Sequence, residues 1–529
     1  MLTPLTPIDF KRRARKLYPG KTAIIDGLSS WTYEEFDRRT WQLTNGLQNL
    51  GFGSGDHIAV MLPNIHEMIE CFYGIGQMGA IMVPLNVRLA EDEVHYILEH
   101  SDASALIVDS EYSHMIHRIR PRLTQIRTII QVASGFSSEL QALDYEELLQ
   151  RSSDAAFEPA IDENQPITIN YTSGTTSRPK GVILTHRNNY INAADFLFHL
   201  KVTHEDVYLH TLPMFHANGW GGVWALTAVG ATQVCLRKME PVTTLNLFVE
   251  HKVTLACGAP TVLNMLINAP GAEQVKMDWH PRMATAGSPP PAAVIDRVQQ
   301  LFGMEVIHVY GLTEVSPFIT YCEWRNEFSL LPSDQQARIK ARQGVEMLFN
   351  GETKVVKQDG SDVEWNGTDI GEIVTRGNVV MEGYYKQPEE TAKAIRNGWF
   401  YSGDLAVVHP DGYIEIVDRS KDVIISGGEN VSSVEVEGML YQHPDILEVG
   451  VVAIPDQKWG EVPKAFVVLK PGKVLDESAL REWCRERMTH FKVPKAFEFV
   501  DALPRTATGK LQKYVLRDKE WKDRPKFVN

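Results

Sequence analysis

Between Tyr171 and Val182 the chain reads Tyr-Thr-Ser-Gly-Thr-Thr-Ser-Arg-Pro-Lys-Gly-Val, a run of hydroxyls and glycine closed by one lysine. Such a stretch offers backbone N–H groups, hydroxyl donors and an ammonium at close quarters, which is what a polyphosphate needs. It is not a Walker A loop, because Lys180 is followed by Gly181 rather than Ser or Thr. Read alone, the same composition also fits a polar surface turn. A second stretch, Gly74-Ile-Gly-Gln-Met-Gly79, matches a dinucleotide fingerprint. It follows a helix-like run and leads into a strand-like one, the reverse of what that motif requires, so it reads as a helix C-terminal turn.

The elements that must position these residues alternate. Thr22–Ile25, His57–Leu62, Ala80–Pro84 and Ala105–Val108 are short apolar runs rich in β-branched residues, whereas Thr32–Asp37 and Ala90–Leu98 have helical spacing with acidic starts. Strands alternating with helices predict α/β layers with mostly parallel sheets. Pro166–Tyr171 has the composition of a strand entering the hydroxyl loop, and Thr185–Leu200 that of a helix after it. After about residue 330 the pattern turns to strands joined by turns, with Glu372–Thr375 and Tyr413–Val417 as an antiparallel, β-rich subdomain. Beyond Asp418 a small α+β unit is expected, opened by a capping box at Ser432-Ser-Val-Glu435. The predicted organisation is thus a large N-terminal domain over 1–418 and a small C-terminal domain over 419–529.

Composition narrows the class. The chain has 529 residues, 43% apolar and 23% charged, with net charge −14. An acidic balance argues against a nucleic-acid partner, which needs clustered Lys and Arg. The one basic cluster, Lys11–Lys16, fits a solvated helix face. Five cysteines without a C-x-x-C pair give no disulfide framework and no zinc site. No signal peptide and no apolar run of membrane-spanning length is seen, so a cytoplasmic enzyme without an integral membrane segment is expected.

Order is the strongest signal. The hydroxyl loop is followed by Pro213-Met-Phe-His-Ala-Asn-Gly-Trp220, Tyr310-Gly-Leu-Thr-Glu314, Tyr401-Ser-Gly-Asp404, Asp418-Arg-Ser-Lys-Asp422, Ser426-Gly-Gly-Glu-Asn430 and Pro504-Arg-Thr-Ala-Thr-Gly-Lys510. This ordered set, spread over essentially the whole chain, resembles the adenylate-forming superfamily and, within it, the acyl-CoA synthetases. The resemblance implies two steps. A carboxylate attacks the α-phosphate of ATP, giving an acyl-adenylate and pyrophosphate. The thiol of coenzyme A then attacks the acyl carbonyl, giving a thioester and AMP. Adenylation is needed because a bare carboxylate oxygen is a poor leaving group.

The same resemblance implies roles. Thr172, Ser173, Gly174, Thr175, Thr176 and Lys180 would clamp the β- and γ-phosphates; Ser177 stands where relatives usually carry glycine. Gly287, Ser288 and Pro289 resemble the adenine-side loop and Tyr310 the residue packing on adenine, with Gly311 beside it. Thr313 would be a phosphate hydroxyl, and Glu314 with Thr172 would supply oxygens to Mg²⁺, a hard cation. Asp404 would accept both ribose hydroxyls, helped by Arg419. Lys510 would be the catalytic lysine of adenylation. Gly427, Gly428 and Glu429 resemble the loop lining the pantetheine path, and Lys421 sits at the hinge position. One face of the small domain would serve adenylation and another thioesterification.

Acid choice rests on His216, Trp220 and Gly311. His216 stands where amino-acid-activating relatives carry aspartate, which argues against an amino acid. Trp220 resembles the gating tryptophan of long-chain synthetases, and Gly219, Gly221 and Gly222 leave room beside it, although a core aromatic explains Trp220 equally. The sequence therefore favours medium- or long-chain fatty acids. The alternatives are small aliphatic, 3-methylthiopropionate-like or aromatic acids, a carrier protein in place of coenzyme A, and a nucleotide-binding scaffold without turnover. The partners expected are small molecules (acid, ATP and coenzyme A), with a homodimer compatible with the chain.

Overall fold

The computed structural model describes residues 2–132, 140–158, 160–172, 178–287, 290–427, 429–505 and 511–521. The β-branched runs become the inner strands of two sheets. One has eight strands: Gly383–Tyr384, Lys180–Thr185, Pro166–Thr172, Ile81–Pro84, His57–Met61, Ala105–Asp109, Thr128–Val132 and Leu143–Asp144. Its centre is parallel, as in Ile58↔Ala105 and Ile58↔Met82. The other has nine: Val345–Glu346, Phe318–Tyr321, Glu305–Gly311, Arg282–Thr285, Leu255–Gly258, Val207–Leu209, Thr232–Val234, Thr22–Asp26 and Ser29–Thr32. It is parallel from Glu305–Gly311 through Thr22–Asp26.

One core is built where helices meet these sheets. Phe36 and Leu43 of Tyr33–Asn49, Phe72 and Tyr73 of His66–Gly76, Phe196 of His186–His199 and Trp224 of Gly222–Val229 are buried together with Val60 and Leu255. Helix starts follow local chemistry. Thr32 and Thr185 each form a reciprocal cap with Glu35 and Asn188. Asp26 Oδ2 accepts both the backbone N–H of His66, at 3.0 Å, and its Nδ1, at 3.1 Å. Gly74 and Gly76 lie at the end of His66–Gly76, and Gly79 turns into Ile81–Pro84 with φ +76°, so the glycine triplet is a helix terminus.

A β-rich layer follows, with Trp399–Val408 at its centre. Gly371–Gly377 and Ile414–Arg419 both pair antiparallel with it rather than with each other. The last unit has its own five-stranded sheet, with the long pair Ile446–Asp456 and Gly460–Leu469 flanked by Ile424–Ser426 and Ala496–Phe499. Ser432 caps Ser433–Leu440 by accepting from Glu435 N, while the Glu435 carboxylate turns to Lys492.

The basic cluster departs from expectation. It lies on helix Ile8–Leu17, yet Lys11 is buried, with its ammonium 2.9 Å from Asp37 and 2.8 Å from Gln77 Oε1. Burial drops its pKa to about 8 despite that pairing. The four-carbon stem fills space between helices, which a reading of charge alone misses. All five cysteines are buried and free. Burial pushes Cys71 and Cys235 well above the ordinary thiol range, and Cys257, Cys322 and Cys484 up to about 12. Among the described residues no helix is long and apolar enough to cross a membrane.

Candidate active site

Parallel strands present their C-terminal ends to a common crevice, the usual place for a ligand in open α/β sheets. Glu305–Gly311 ends there with Tyr310. Its hydroxyl donates to Asp404 Oδ2 at 2.7 Å, while Arg419 Nε donates to Asp404 Oδ1 at 3.1 Å. Asp404 and Arg419 are register partners on adjacent antiparallel strands, so backbone pairing brings the two side chains together. Burial, with the Asp404 charge second, pushes the Tyr310 phenol up, so it remains a donor. The Asp404 carboxylate raises the Arg419 pKa further. Both carboxylate oxygens are thus fixed in direction and each keeps acceptor capacity.

The hydroxyl loop joins two antiparallel strands, Pro166–Thr172 and Lys180–Thr185, in which Thr172 faces Lys180. This corrects the simple order of strand, loop and helix: Lys180 and Gly181 begin a strand. Gly181 packs so closely that a Cβ would lie 2.9 Å from Ile169 Cγ2. The Lys180 ammonium pairs with Glu390 and sits 4.8 Å from the centre of the Tyr384 ring. Tyr384 in turn donates its hydroxyl to Glu314 Oε1 at 2.9 Å. Burial and the neighbouring Glu314 raise the Tyr384 phenol, which keeps that donor in place. Hydrogen bonds from Lys180 and then Lys393 pull Glu390 down to about 2. Tyr384 and Glu390 escaped the sequence reading. Tyr384 reaches the site because Gly383–Tyr384 adds to the edge of Lys180–Thr185, a pairing that no local motif announces.

Beside these groups lies a narrow recess of about 290 Å³, counted to its open mouth. His216, Trp220, Gly287, Gly311, Thr313 and Phe318 are among its walls. Gly311 is required: a Cβ there would lie 1.6 Å from the Pro317 carbonyl oxygen. Trp220 arrives on an unusual backbone. Ala217, Asn218, Gly219, Trp220 and Gly221 have φ of +44°, +55°, +59°, +58° and +80°, a left-handed turn. For each non-glycine member that conformation costs roughly 1–2 kcal/mol, less for asparagine. Glycines at 219 and 221 lower the total, and the surroundings hold the remainder in place.

In the small unit, Gly427 has φ +63° and a Cβ would lie 2.6 Å from the Trp459 ring. Its N–H donates to the Trp459 carbonyl at 2.8 Å, so only glycine fits this turn. Glu429 is exposed at the start of the strand Glu429–Val431, which pairs back on Ile424–Ser426. Lys421 follows Arg419 and Ser420, and burial, with the Arg419 charge next, lowers its pKa to about 8. Arg517 of the C-terminal helix donates to the Lys421 carbonyl at 2.9 Å and to Asp422 at 2.8 Å. The structure therefore gathers Tyr310, Asp404 and Arg419 in one group, Thr172, Lys180 and Glu314 in a second, and His216, Trp220, Gly287, Gly311 and Thr313 in a third. Ser173, Gly174, Thr175, Thr176, Ser177, Ser288, Pro289, Gly428 and Lys510 lie outside the described residues.

Comparison with known proteins gives the family. The model of the AMP-binding enzymes matches residues 10–385, and that of the AMP-binding enzyme C-terminal domain matches 435–510. A 2-methylpropanoate–CoA ligase of Humulus lupulus is 44% identical over 98% of this chain and 95% of its own. A 4-hydroxybutyrate–CoA ligase of Metallosphaera sedula is 41% identical over 97% and 94%. A butyrate–CoA ligase of Arabidopsis thaliana, named as peroxisomal, is 39% identical over 97% and 93%. Among solved structures, an anthranilate–CoA ligase in complex with anthranoyl-AMP superposes with TM-score 0.89 at 26% identity, covering 98% of each chain. ATP-bound MatB from Rhodopseudomonas palustris gives 0.85 at 25% identity, covering 98% of this chain and 99% of its own. The chain belongs to the AMP-binding enzyme family, as an acyl-CoA synthetase of the adenylate-forming kind that uses ATP and coenzyme A as substrates.

Proposed function

We propose that the acid is a short aliphatic one, of the size of acetate to butyrate or isobutyrate. The observation that carries this is the cavity behind His216 and Trp220. The recess holds about 290 Å³ counted to its open mouth, of which the centre of a water-sized group can occupy only about 20 Å³, so a tail of a few carbons fits and a long one does not. Its walls include the buried Trp220 and Phe318 rings, packed edge to face with centroids 5.4 Å apart. A medium or long chain, favoured on the glycines around Trp220, would need this wall to open. Gly219 and Gly221 serve the left-handed turn, and Gly222 opens the helix that follows it. The short acids named for the relatives support the same reading.

In the first step the acid's carboxylate attacks the α-phosphorus and pyrophosphate leaves. Positioning and charge neutralisation dominate such a reaction. Lys180, with the hydroxyl loop, addresses the leaving phosphates once it exchanges Glu390 for them. Asp404 takes the ribose hydroxyls on acceptor positions left by Tyr310 and Arg419. The oxygens of Glu314 and Thr172 fit Mg²⁺ by type, and the Tyr384 hydroxyl holds Glu314 by one oxygen so that the other is free to bind. When bound, the cation would neutralise phosphate charge. Lys510 contributes an ammonium at the α-phosphate in this step. In the second step the thiol adds to the acyl carbonyl and AMP leaves. The residues Gly427, Gly428 and Glu429 are assigned to the thiol's path, and Lys421 is the hinge between a unit ending near 418 and one beginning at 419. The cytoplasmic expectation belongs to this proposal and is tested by imaging a tagged chain.

Pyrophosphate release is the direct test, run with coenzyme A over acetate, butyrate, isobutyrate, hexanoate, octanoate, palmitate, benzoate and 3-methylthiopropionate. Rates should peak at two to four carbons and collapse by octanoate; a maximum at palmitate or benzoate would refute the reading. Lys510→Ala should abolish adenylation while conversion of supplied acyl-adenylate continues, and equal loss of both half-reactions would contradict the role of that lysine.

A further inference from the structure

The left-handed turn that carries Trp220 is fully buried and rests on side-chain amides. Asn218, next to Trp220, donates from Nδ2 to Thr168 Oγ1 at 3.0 Å and to Asn189 Oδ1 at 2.9 Å. Its Oδ1 accepts from Asn170 Nδ2 at 2.9 Å. Trp224 Nε1 donates to the same Asn189 oxygen at 3.1 Å. Asn189, Asn192 and Asn218 are each at most 1% exposed. Satisfied amides in a dry core fix geometry strongly, because leaving any of them unpaired is costly.

Asn192 has a distinct place in this arrangement. It lies one turn after Asn189 on helix His186–His199. Its Nδ2 donates to the carbonyl of Trp220 at 3.2 Å, and its Oδ1 faces the N–H of Phe318 at 3.4 Å. Trp220 and Phe318 are the two aromatic walls of the acid cavity. One amide therefore joins the backbones of both walls. The fit is tight, since a Cβ on Gly221 would come within 2.1 Å of Asn192 Nδ2.

We propose that Asn192 is a positioning residue for acid selection, which holds the Trp220 backbone left-handed against Phe318 and so fixes how long an aliphatic tail the cavity admits. This rests on the short-acid reading above and adds the device that enforces it. Asn192 touches neither reacting carbon nor phosphate. Its effect runs through the depth of the cavity, so it bears on chain length and not on ATP.

The test uses the full chain with Asn192→Asp, Asn192→Ala and Trp220→Ala. Asn192→Asp keeps the acceptor toward Phe318 and, assayed at pH 8 to favour the ionised form, sets a carboxylate oxygen against the Trp220 carbonyl in place of the donor. In all three, kcat/KM for hexanoate relative to butyrate should rise at least tenfold, while KM for ATP stays within about twofold, a split that general damage to the fold would not produce. An unchanged ratio in the folded Asp variant overturns the proposal, as does an unchanged ratio in Trp220→Ala. Should Asn192→Ala not fold, the Asp variant alone decides. If the unmutated protein turns over no short acid, the proposed function fails instead. A crystal structure of Asn192→Asp then settles the inference by itself: a displaced Trp220 supports it, and a ring unmoved from its left-handed turn overturns it.

Discussion

On the role proposed for Lys180, Glu390 and a phosphate oxygen compete for one ammonium. With Lys180 drawn to Glu390 and lodged over Tyr384, nucleotide binding must break an ion pair before it makes one. The pair is partly exposed and screened by solvent, so its effect is modest. Glu390→Gln should lower KM for ATP by about two- to fivefold and flatten its dependence on salt, as read from initial rates. An increase would show that Glu390 orders the lysine for phosphate instead of withholding it. Asp404 is the opposite case, buried and holding two donors. Asp404→Asn should raise KM for ATP at least about tenfold and cost no more than about 1 kcal/mol of stability, because Arg419 is partly exposed and solvent screens its lost pairing. A thermal melt beside the kinetics separates the two effects.

At the scale of elements, what the sequence revealed followed from composition. Ile58–Met61 and Ala105–Val108 are β-branched or apolar at nearly every position, as strands covered on both faces must be, and these became inner parallel strands. The ordered motifs picked out Tyr310, Asp404 and Arg419, which the structure brings together because their side chains project from the ends or pairings of strands. Two features stayed hidden. The partner of Pro166–Thr172 begins inside the loop motif itself, at Lys180, so its strand character was masked by polar residues. The left-handed turn over Ala217–Gly221 depends on amides contributed by residues 168–192, and only the glycines at 219 and 221 hint at it locally. Buried histidines make a further prediction at this scale. Burial holds His186 near 3 and His210 and His308 near 4. In the unfolded chain each returns to about 6.5. As pH falls from about 6.5 toward 4, the unfolded chain binds protons that the folded one refuses, so stability declines by up to about 1.4 kcal/mol per pH unit for each histidine. Urea unfolding at pH 7 and pH 5 should show the decrease, and His210→Gln should reduce its slope.

The whole molecule is two units joined at a short, well-tied segment. Asp418 accepts from the Ser433 backbone N–H at 2.6 Å and hydroxyl at 2.7 Å. Arg517 grips Lys421 and Asp422, and Asn264 of the large unit donates to the Leu447 carbonyl at 3.2 Å. On the mechanism proposed above, in which two faces of the small unit serve the two steps, this segment turns between them. Lys421→Pro, which fixes one φ, should therefore depress one half-reaction by tenfold or more while sparing the other. Stopped-flow measurement of adenylate formation and thioester formation distinguishes this from a uniform loss, which would count against hinge motion.

The same molecule must handle a hazard of its own making. An acyl-adenylate is an acylating agent, and it forms beside a protein whose purpose is to offer it a thiol. Any reachable thiolate of the chain would be a competing acceptor. All five cysteines are buried, with pKa values pushed to about 12 or beyond, which leaves roughly one part in 10⁵ as thiolate at neutral pH. The native enzyme should react negligibly with an aromatic disulfide reagent and release five equivalents only on unfolding. Self-acylation is thereby suppressed by the same burial that builds the core, and the only nucleophilic sulfur in the reaction is the one the substrate brings.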